Sequence, residues 1–230
     1  MIEWNTDNEL FELMREHLYT AVVGDILDKL GYLHQFLPPE LQPLRDDMVV
    51  VGRAMTVLEA DCFEELTLGS QNPIMAKPFG LMLEALDDLK ENDVYICTGS
   101  SPKYALWGEL MSTRAKVLGS TGAVVDGYSR DTKGILEIDF PCFSYGRYSQ
   151  DQGPRGKVID FRVPIEIQGV RVNDGEIIFG DLDGVVVIPK AVEKEVIQLA
   201  YEKAVGEKMV AEAIKGGMSC VDSWNKYGIM

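Results

Sequence analysis

Apolar residues follow two rhythms along this chain. In the first two thirds, short apolar runs alternate with stretches of helical spacing; from Lys157 to Pro189 apolar side chains tend to fall at every second position. The first helical stretch carries Leu10, Leu13, Met14 and Leu18, and Thr6 with Glu9 three residues later supplies a capping box at its start. After a break near Thr20 the pattern resumes from Val22 to Leu30, where Gly31 stops it. Leu37-Pro38-Pro39 marks a loop, residues 48–58 are apolar and β-branched enough for a strand, and residues 60–80 predict a loop or short helices, being punctuated by Gly69, Asn72-Pro73 and Lys77-Pro78. Beyond them, helices over 81–89, 108–118 and 132–138 alternate with strands over 93–97, 123–126 and 142–145, the signature of an α/β core. Val158, Val163, Ile165, Ile167, Val170 and Val172, with turns at Gly169 and Asn173-Asp174-Gly175, predict an antiparallel region ending in the buried strand Val185-Val186-Val187-Ile188. A long amphipathic helix over 191–214 closes at Gly216-Gly217, and a short one capped by Ser219 and Asp222 ends at Gly228. No repeat or linker interrupts the pattern, so residues 1–230 are expected to form a single domain with two sheet layers and helices outside.

Composition narrows the function. A chain of 230 residues that is 46% hydrophobic can bury a full core. Its net charge of −15 repels phosphate backbones and anionic membranes, which argues against nucleic acid as a partner. No apolar run reaches the roughly eighteen residues of a membrane span, and Met1-Ile2-Glu3-Trp4-Asn5 lacks the basic and apolar segments of a secretory signal. Cys62, Cys97, Cys142 and Cys220 are dispersed, with no Cys-x-x-Cys, as expected of reduced thiols in a cytoplasmic protein.

Most familiar chemistries have no foothold here. His17 lies within the first helical pattern and His34 in the proline-rich turn, and neither has a partner at zinc-site spacing. Gly119-Ser120-Thr121-Gly122 reads as a helix-to-strand turn and not a phosphate loop, and Asp87, Asp88, Glu91 and Asp93 read as a solvated helix end. The informative constellation is Gly108-Glu109-Leu110 followed, after a helix, a turn and a strand, by Arg130-Asp131. Orphan amides of a helix starting near Gly108 favour an anion, and Gly108 lets a ligand approach the backbone closely. Arg130 can grip a carboxylate through two parallel hydrogen bonds. Asp131 offers a hard oxygen to Mg²⁺ or Mn²⁺; magnesium keeps several waters and needs only one or two protein carboxylates. The plainer reading of the same residues is a helix-dipole glutamate and a surface Arg-Asp pair.

The segment Ala105-Leu106-Trp107-Gly108-Glu109-Leu110-Met111, then Gly122-Ala123-Val124-Val125-Asp126-Gly127 leading to Arg130-Asp131, closely resembles the family that contains class II 4-hydroxy-4-methyl-2-oxoglutarate aldolases and the regulator of ribonuclease activity A. The likeness extends over nearly the whole chain, through Val23-Gly24-Asp25, Gly52-Arg53-Ala54, Phe140-Pro141-Cys142 and Gly180-Asp181-Leu182-Asp183-Gly184. The resemblance implies a β/β/α swivelling-domain fold, homotrimers or dimers of trimers, and a cleft between neighbouring subunits. It implies that Arg130, with the backbone amides of Leu110 and Met111, binds a 2-oxo acid. Asp131 would ligate the metal, Glu109 would act through a metal-held water or in proton transfer, and Glu207 of the long C-terminal helix would reach a neighbour's metal waters. One departure stands out: the family usually places an acid two residues after Arg-Asp, where Thr132-Lys133 here lead to Gly134, leaving Glu137 or Asp139 as possible substitutes.

The expected function is that of a divalent-metal-dependent lyase that releases pyruvate from a 2-oxo acid through an enolate, by retro-aldol cleavage or by decarboxylation of oxaloacetate. Two rivals follow from the same resemblance: a non-enzymatic protein–protein regulator, and a different enolate enzyme on the same scaffold, whose distal pocket would be shaped by residues 60–80, with Cys62, Phe63, Met75 and Phe79.

Overall fold

The structure, a computed structural model, describes residues 2–62 and 70–229; Phe63 lies outside them. Its first two helices are α1 (Asp7–His17) and α2 (Thr20–Lys29). The capping box forms as the sequence predicts: the Thr6 hydroxyl accepts from the Glu9 amide, and the Glu9 carboxylate returns to the amides of Asn5 and Thr6. The break near Thr20 has a cause in the fold. The Thr20 amide and hydroxyl both donate to the Asp181 carboxylate, at 2.8 and 2.6 Å, which turns the chain away from the axis of α1.

An eight-stranded sheet forms the centre. After the short β1 (Gln42–Pro43) comes β2 (Val50–Asp61), twelve residues long and extending past the strand expected over 48–58. A 3-10 turn over Pro73–Ala76 and α3 (Met82–Asp87) lead to β3 (Asp93–Thr98). Two strands too short to show a periodicity, β4 (Ala105–Trp107) and β6 (Tyr128–Ser129), flank α4 (Glu109–Val117) and β5 (Gly122–Val125). Then follow α5 (Thr132–Glu137) and β7 (Cys142–Ser144). β2, β3, β5 and β7 are parallel neighbours, so the α/β alternation in the sequence is a run of crossover units.

The change of rhythm after residue 156 marks the switch to antiparallel pairing. β8 (Gly156–Phe161) pairs with β2; β9 (Ile165–Ile167) and β10 (Val170–Val172) form a separate hairpin; β11 (Ile177–Asp181) pairs with both β2 and β12 (Gly184–Ile188). The central order is β1-β7-β5-β3-β2-β11-β12, with β8 also on β2. α6 (Glu193–Lys215) and α7 (Cys220–Tyr227), capped by Ser219 and ended by Gly228 at φ 65°, close the chain.

Alternation along the strands sorts side chains into three cores. Val185 and Val187 pack with Ile165, Ile167, Val170 and Val172 of the hairpin, which forms the second sheet layer. Val186 and Ile188 face α1, α2 and α6. Met55, Val57, Tyr95, Ala123 and Val125 face α3, α4 and α5, where Met82, Leu86, Ala115 and Ile135 cover them. The acidic run read as a solvated helix end is instead built into the fold: Asp88 and Asp93 both bind Arg162, Asp93 is buried, and Asp87 binds Arg114. Cys97, Cys142 and Cys220 are free thiols, and Cys62, Cys97 and Cys142 are buried. Among the described residues, no helix is long and apolar enough to cross a membrane.

Candidate active site

The site depends on a two-stranded sheet, the smallest among the described residues. β4 and β6 pair in parallel, Ala105 opposite Tyr128 and Trp107 opposite Ser129, and the Arg130 amide adds a bond of 2.8 Å to the Trp107 carbonyl. Each strand ends one step before a candidate residue, so their pairing sets Gly108 and Glu109 beside Arg130 and Asp131. Trp107 anchors the junction. Its indole Nε1–H donates to Ser112 Oγ at 2.6 Å, Ser112 binds back to the Gly108 carbonyl, and the ring packs between Tyr95 and Phe140.

Gly108 is the N-cap of α4, and no side chain caps that helix. Its first amides, those of Leu110 and Met111 among them, therefore face the cleft as a donor set for an anion. Asp131 stands against this terminus in a left-handed conformation, φ 54° and ψ 32°. It is itself the N-cap of α5, yet its carboxylate does not cap that helix. It turns to Gly108 instead: a Cβ at position 108 would lie 2.8 Å from Asp131 Oδ2. A side chain at position 108 would push that carboxylate away from the helix start. Glu109, exposed at the first turn of α4, folds over α5, and a Cβ at Gly134 would fall 2.1 Å from its Cδ and Oε2. The position where the family usually has an acid thus holds a glycine whose missing side chain makes room for the Glu109 carboxylate. Glu137 pairs with Lys133 and Asp139 with Arg45, so their carboxylates already have partners elsewhere.

Sequence reasoning missed Asp151. Its carboxylate takes Nη1 of Arg130 at 2.8 Å, whereas Asp131 Oδ2 stays 3.7 Å from Arg130 Nε. Asp151 lies in a loop with no periodic neighbours, and no motif pointed to it. Gln152, next in sequence, also lines the cleft and donates at 2.7 Å to Glu59, whose carboxyl burial pushes up to about 8. Arg114, Asp87 and a wall of apolar side chains complete a cleft of about 550 Å³. Glu207 is not brought to this site within the chain. It accepts from the Tyr19 hydroxyl and lies 3.4 Å from Lys203, and burial holds its carboxyl above the usual range.

The donor set bears on what the site can hold. Among the described residues no group of three or more metal-ligating side chains forms a cage. Asp131 offers a hard carboxylate oxygen at the open cleft, and Glu109 holds its carboxylate over Gly134 outside the cleft lining; one direct carboxylate suits an ion of the magnesium type, which keeps most of its waters.

Known proteins resemble this chain in sequence and in fold. Over 206 residues, 89% of each chain, the sequence is 29% identical to a protein of Halalkalibacterium halodurans named "Putative 4-hydroxy-4-methyl-2-oxoglutarate aldolase". An uncharacterized protein from Pseudomonas syringae pv. tomato superposes with a TM-score of 0.82 at 26% identity, covering 99% of this chain and 98% of that one. Streptomyces coelicolor RraAS2, described as an unusual member of the RNase ES inhibitor RraA family, shares the fold with a TM-score of 0.74 at 22% identity over 90% and 98% of the two chains. The model of the RraA-like family, described as Aldolase/RraA, matches residues 20–187, and the chain belongs to that family.

Proposed function

We propose that this protein is a divalent-metal-dependent lyase that releases pyruvate from a 2-oxo acid, by retro-aldol cleavage of a 4-hydroxy-2-oxo acid or by decarboxylation of oxaloacetate. The observation that carries this reading is the convergence of Arg130 and an uncommitted Asp131 on the uncapped N-terminus of α4. Asp131 would hold the metal directly and Glu109 through water; when bound, the ion supplies Lewis-acid polarisation of the 2-oxo group.

The chain's own residues account for the rest. Arg130 leaves Asp151 to take the substrate carboxylate in its fork, and the amides of Leu110 and Met111 orient the same end. In the aldol case Glu109, directly or through one water, removes the proton of the 4-hydroxyl. The C3–C4 bond then breaks, its electron pair passes into the enolate of pyruvate, and the C4 carbonyl product departs. Protonation at C3 completes pyruvate. Arg130 stabilises the charge that develops on the pyruvyl unit.

In the assembled protein, a homotrimer or dimer of trimers, Glu207 would reach the metal waters of a neighbouring subunit. Exposed Val205 and Met209 on α6 and Val221 and Trp224 on α7 support an interface on that side. The second reading, a non-enzymatic regulator, draws on the RraA side of the family. The test is pyruvate release from oxaloacetate and from 4-hydroxy-2-oxo acids by pure protein with Mg²⁺ or Mn²⁺. Metal-dependent turnover abolished by Asp131→Ala supports the lyase; folded, metal-supplied protein that turns over none of these acids leaves the regulator.

A further inference from the structure

The helix whose first amides face the cleft also carries a second guanidinium into it. Arg114 lies four residues past Leu110 on α4, about 6 Å further along the axis, and lines the same cleft as Arg130. Its Nε donates to Asp87 Oδ1 at 2.8 Å, and its Nη2 lies 2.8 Å from the same oxygen. Nη1 of Arg114 has no partner among the described residues. The pattern repeats that of Arg130, which is held by one aspartate, Asp151, and keeps capacity for a ligand. The side chains of Arg114 and Asp87 are 43% and 68% exposed, so their ion pair is weak and a carboxylate entering the cleft can share or replace it. The wall that α3 and the start of α4 contribute, Met82, Leu83, Leu86 and Met111, is apolar and suits a carbon chain. Two cations and an apolar wall thus line one cleft of about 550 Å³, larger than a pyruvyl unit needs.

We propose that Arg114 is a specificity-determining residue of this cleft: its guanidinium, oriented by Asp87, binds a second carboxylate at the end of the substrate away from the pyruvyl unit. The proposal rests on the lyase reading, which puts the pyruvyl carboxylate on Arg130 and the amides of Leu110 and Met111. Four carbon–carbon bonds of about 1.5 Å, extended, cover roughly 5 Å, so a five-carbon dicarboxylate is long enough to engage both guanidiniums. In retro-aldol cleavage the second carboxylate keeps its charge and departs on the C4 carbonyl fragment. Arg114 therefore holds substrate and transition state about equally, and its contribution falls on KM more than on kcat. In oxaloacetate the second carboxylate is the group that leaves as CO₂ and gives up its charge. A guanidinium there stabilises the ground state and does not speed the reaction. Arg114 thereby favours aldol substrates over oxaloacetate. A competing place for the second carboxylate lies on the opposite side of Arg130 and Asp131, in a groove of about 240 Å³ lined by Ser129, Arg147 and Tyr148.

Two measurements test this. The first is kcat and KM for 4-hydroxy-2-oxoglutarate and for 4-hydroxy-2-oxopentanoate, which has a methyl group in place of the second carboxylate. Wild type should favour the dicarboxylate by tenfold or more. Arg114→Gln should lower kcat/KM for the dicarboxylate at least tenfold more than for the methyl analogue or for oxaloacetate, chiefly through KM, and Arg114→Lys should recover part of the preference. The second is calorimetric binding of the unreactive pair 2-oxoglutarate and 2-oxopentanoate with Mg²⁺ present, where Arg114→Gln should remove the same preference. Equal losses for both members of a pair would make Arg114 a tie between α3 and α4 and overturn the proposal. A dicarboxylate preference that survives Arg114→Gln and disappears in Arg147→Ala would overturn it in favour of the opposite groove. An Arg114-dependent preference in binding, without turnover of any acid, retires the lyase reading and keeps Arg114 as the receptor of the second carboxylate. Failure to bind either acid removes both.

Discussion

Arg130 and Arg162 both sit among aspartates, and they differ in what each cluster leaves over. Arg162 spends every arm: Nε binds Asp88, Nη2 binds Asp93 at 2.8 Å and the Asp88 carbonyl at 3.0 Å, and Nη1 binds Asp174 at 3.1 Å. Asp93 is buried, which pushes its carboxyl above the usual range, and Arg162 opposes that shift. Arg130 binds Asp151 through one nitrogen, keeps Asp131 at 3.7 Å, and stands beside helix amides that no side chain caps. Both clusters even include a residue with left-handed backbone, Arg162 and Asp131, each at φ 54°. Sequence alone shows two similar sets of charges. Saturation separates them: a network whose donors and acceptors are used up holds elements together, whereas one with spare capacity at an open cleft can take a ligand.

The most damaging way to challenge that contrast is to alter the open cluster. Asp131→Ala should abolish metal-dependent turnover, and Arg130→Lys, which keeps the charge and loses the planar fork, should lower kcat/KM roughly a hundred- to thousand-fold. Both variants should melt within a few degrees of wild type, because Asp131 and Arg130 are partly exposed and their ion pairs contribute little to stability. A kcat/KM for Arg130→Lys within a few-fold of wild type would reduce Arg130 to a surface ion-pair residue.

The same experiment on the closed cluster should give the opposite split. Arg162→Met leaves the buried Asp93 without its guanidinium, which should cost about 2–4 kcal/mol in denaturant unfolding. Turnover per folded molecule should stay within about twofold of wild type, since Arg162 lies outside the cleft lining. A large loss of kcat/KM with stability intact would break the comparison.

How much of this was legible beforehand follows from the length of each element. Helices and strands of the crossover core carry enough residues to show a period, and the switch at Lys157 marks the change from parallel to antiparallel pairing. Gly108, Glu109, Arg130 and Asp131 were legible as a constellation because residue type and the intervening helix and strand limit where they can lie. β4 and β6, the strands that align them, have three and two residues, too few for alternation to register. Asp151 and the Asp87–Arg114 pair were hidden for a related reason: their partners are distant in sequence, and only the fold makes a charge in a loop or at a helix end part of a cleft.

Glu59 lies between the two extremes, a carboxyl buried beneath the cleft and joined to it by Gln152. Burial raises its folded-state pKa from 4.5 to about 8, with Cys97 and Gln152 pulling the other way. Below the unfolded value both states are protonated and nothing is lost. Between there and about 8 the unfolded chain releases its proton first, so stability falls as pH rises, and the loss levels off above the folded value. Glu59→Gln lacks this titration. Its melting temperature should match wild type near pH 5 and exceed it by roughly 5 °C at pH 8.5. Parallel pH profiles of the two proteins would show that Glu59 is ionised in the fold and paired after all.

The smallest expected change is the most specific to the site. Gly134 is the third residue of α5, and the Glu109 carboxylate fills the space above it. Its backbone is not in the left-handed region, so alanine is conformationally allowed and gains helix propensity of up to about 1 kcal/mol. The added methyl meets the far end of the flexible Glu109 side chain, which can swing aside with little strain. Gly134→Ala should therefore unfold within about 1 kcal/mol of wild type, while kcat for retro-aldol cleavage falls about tenfold as the carboxylate leaves the position from which it takes the hydroxyl proton. KM should change little, because Arg130 and the helix amides are untouched. Oxaloacetate decarboxylation removes no hydroxyl proton, so it should lose less than the aldol reaction does. Equal losses in both reactions would mean that Gly134 shapes the cleft as a whole and that Glu109 is not the base.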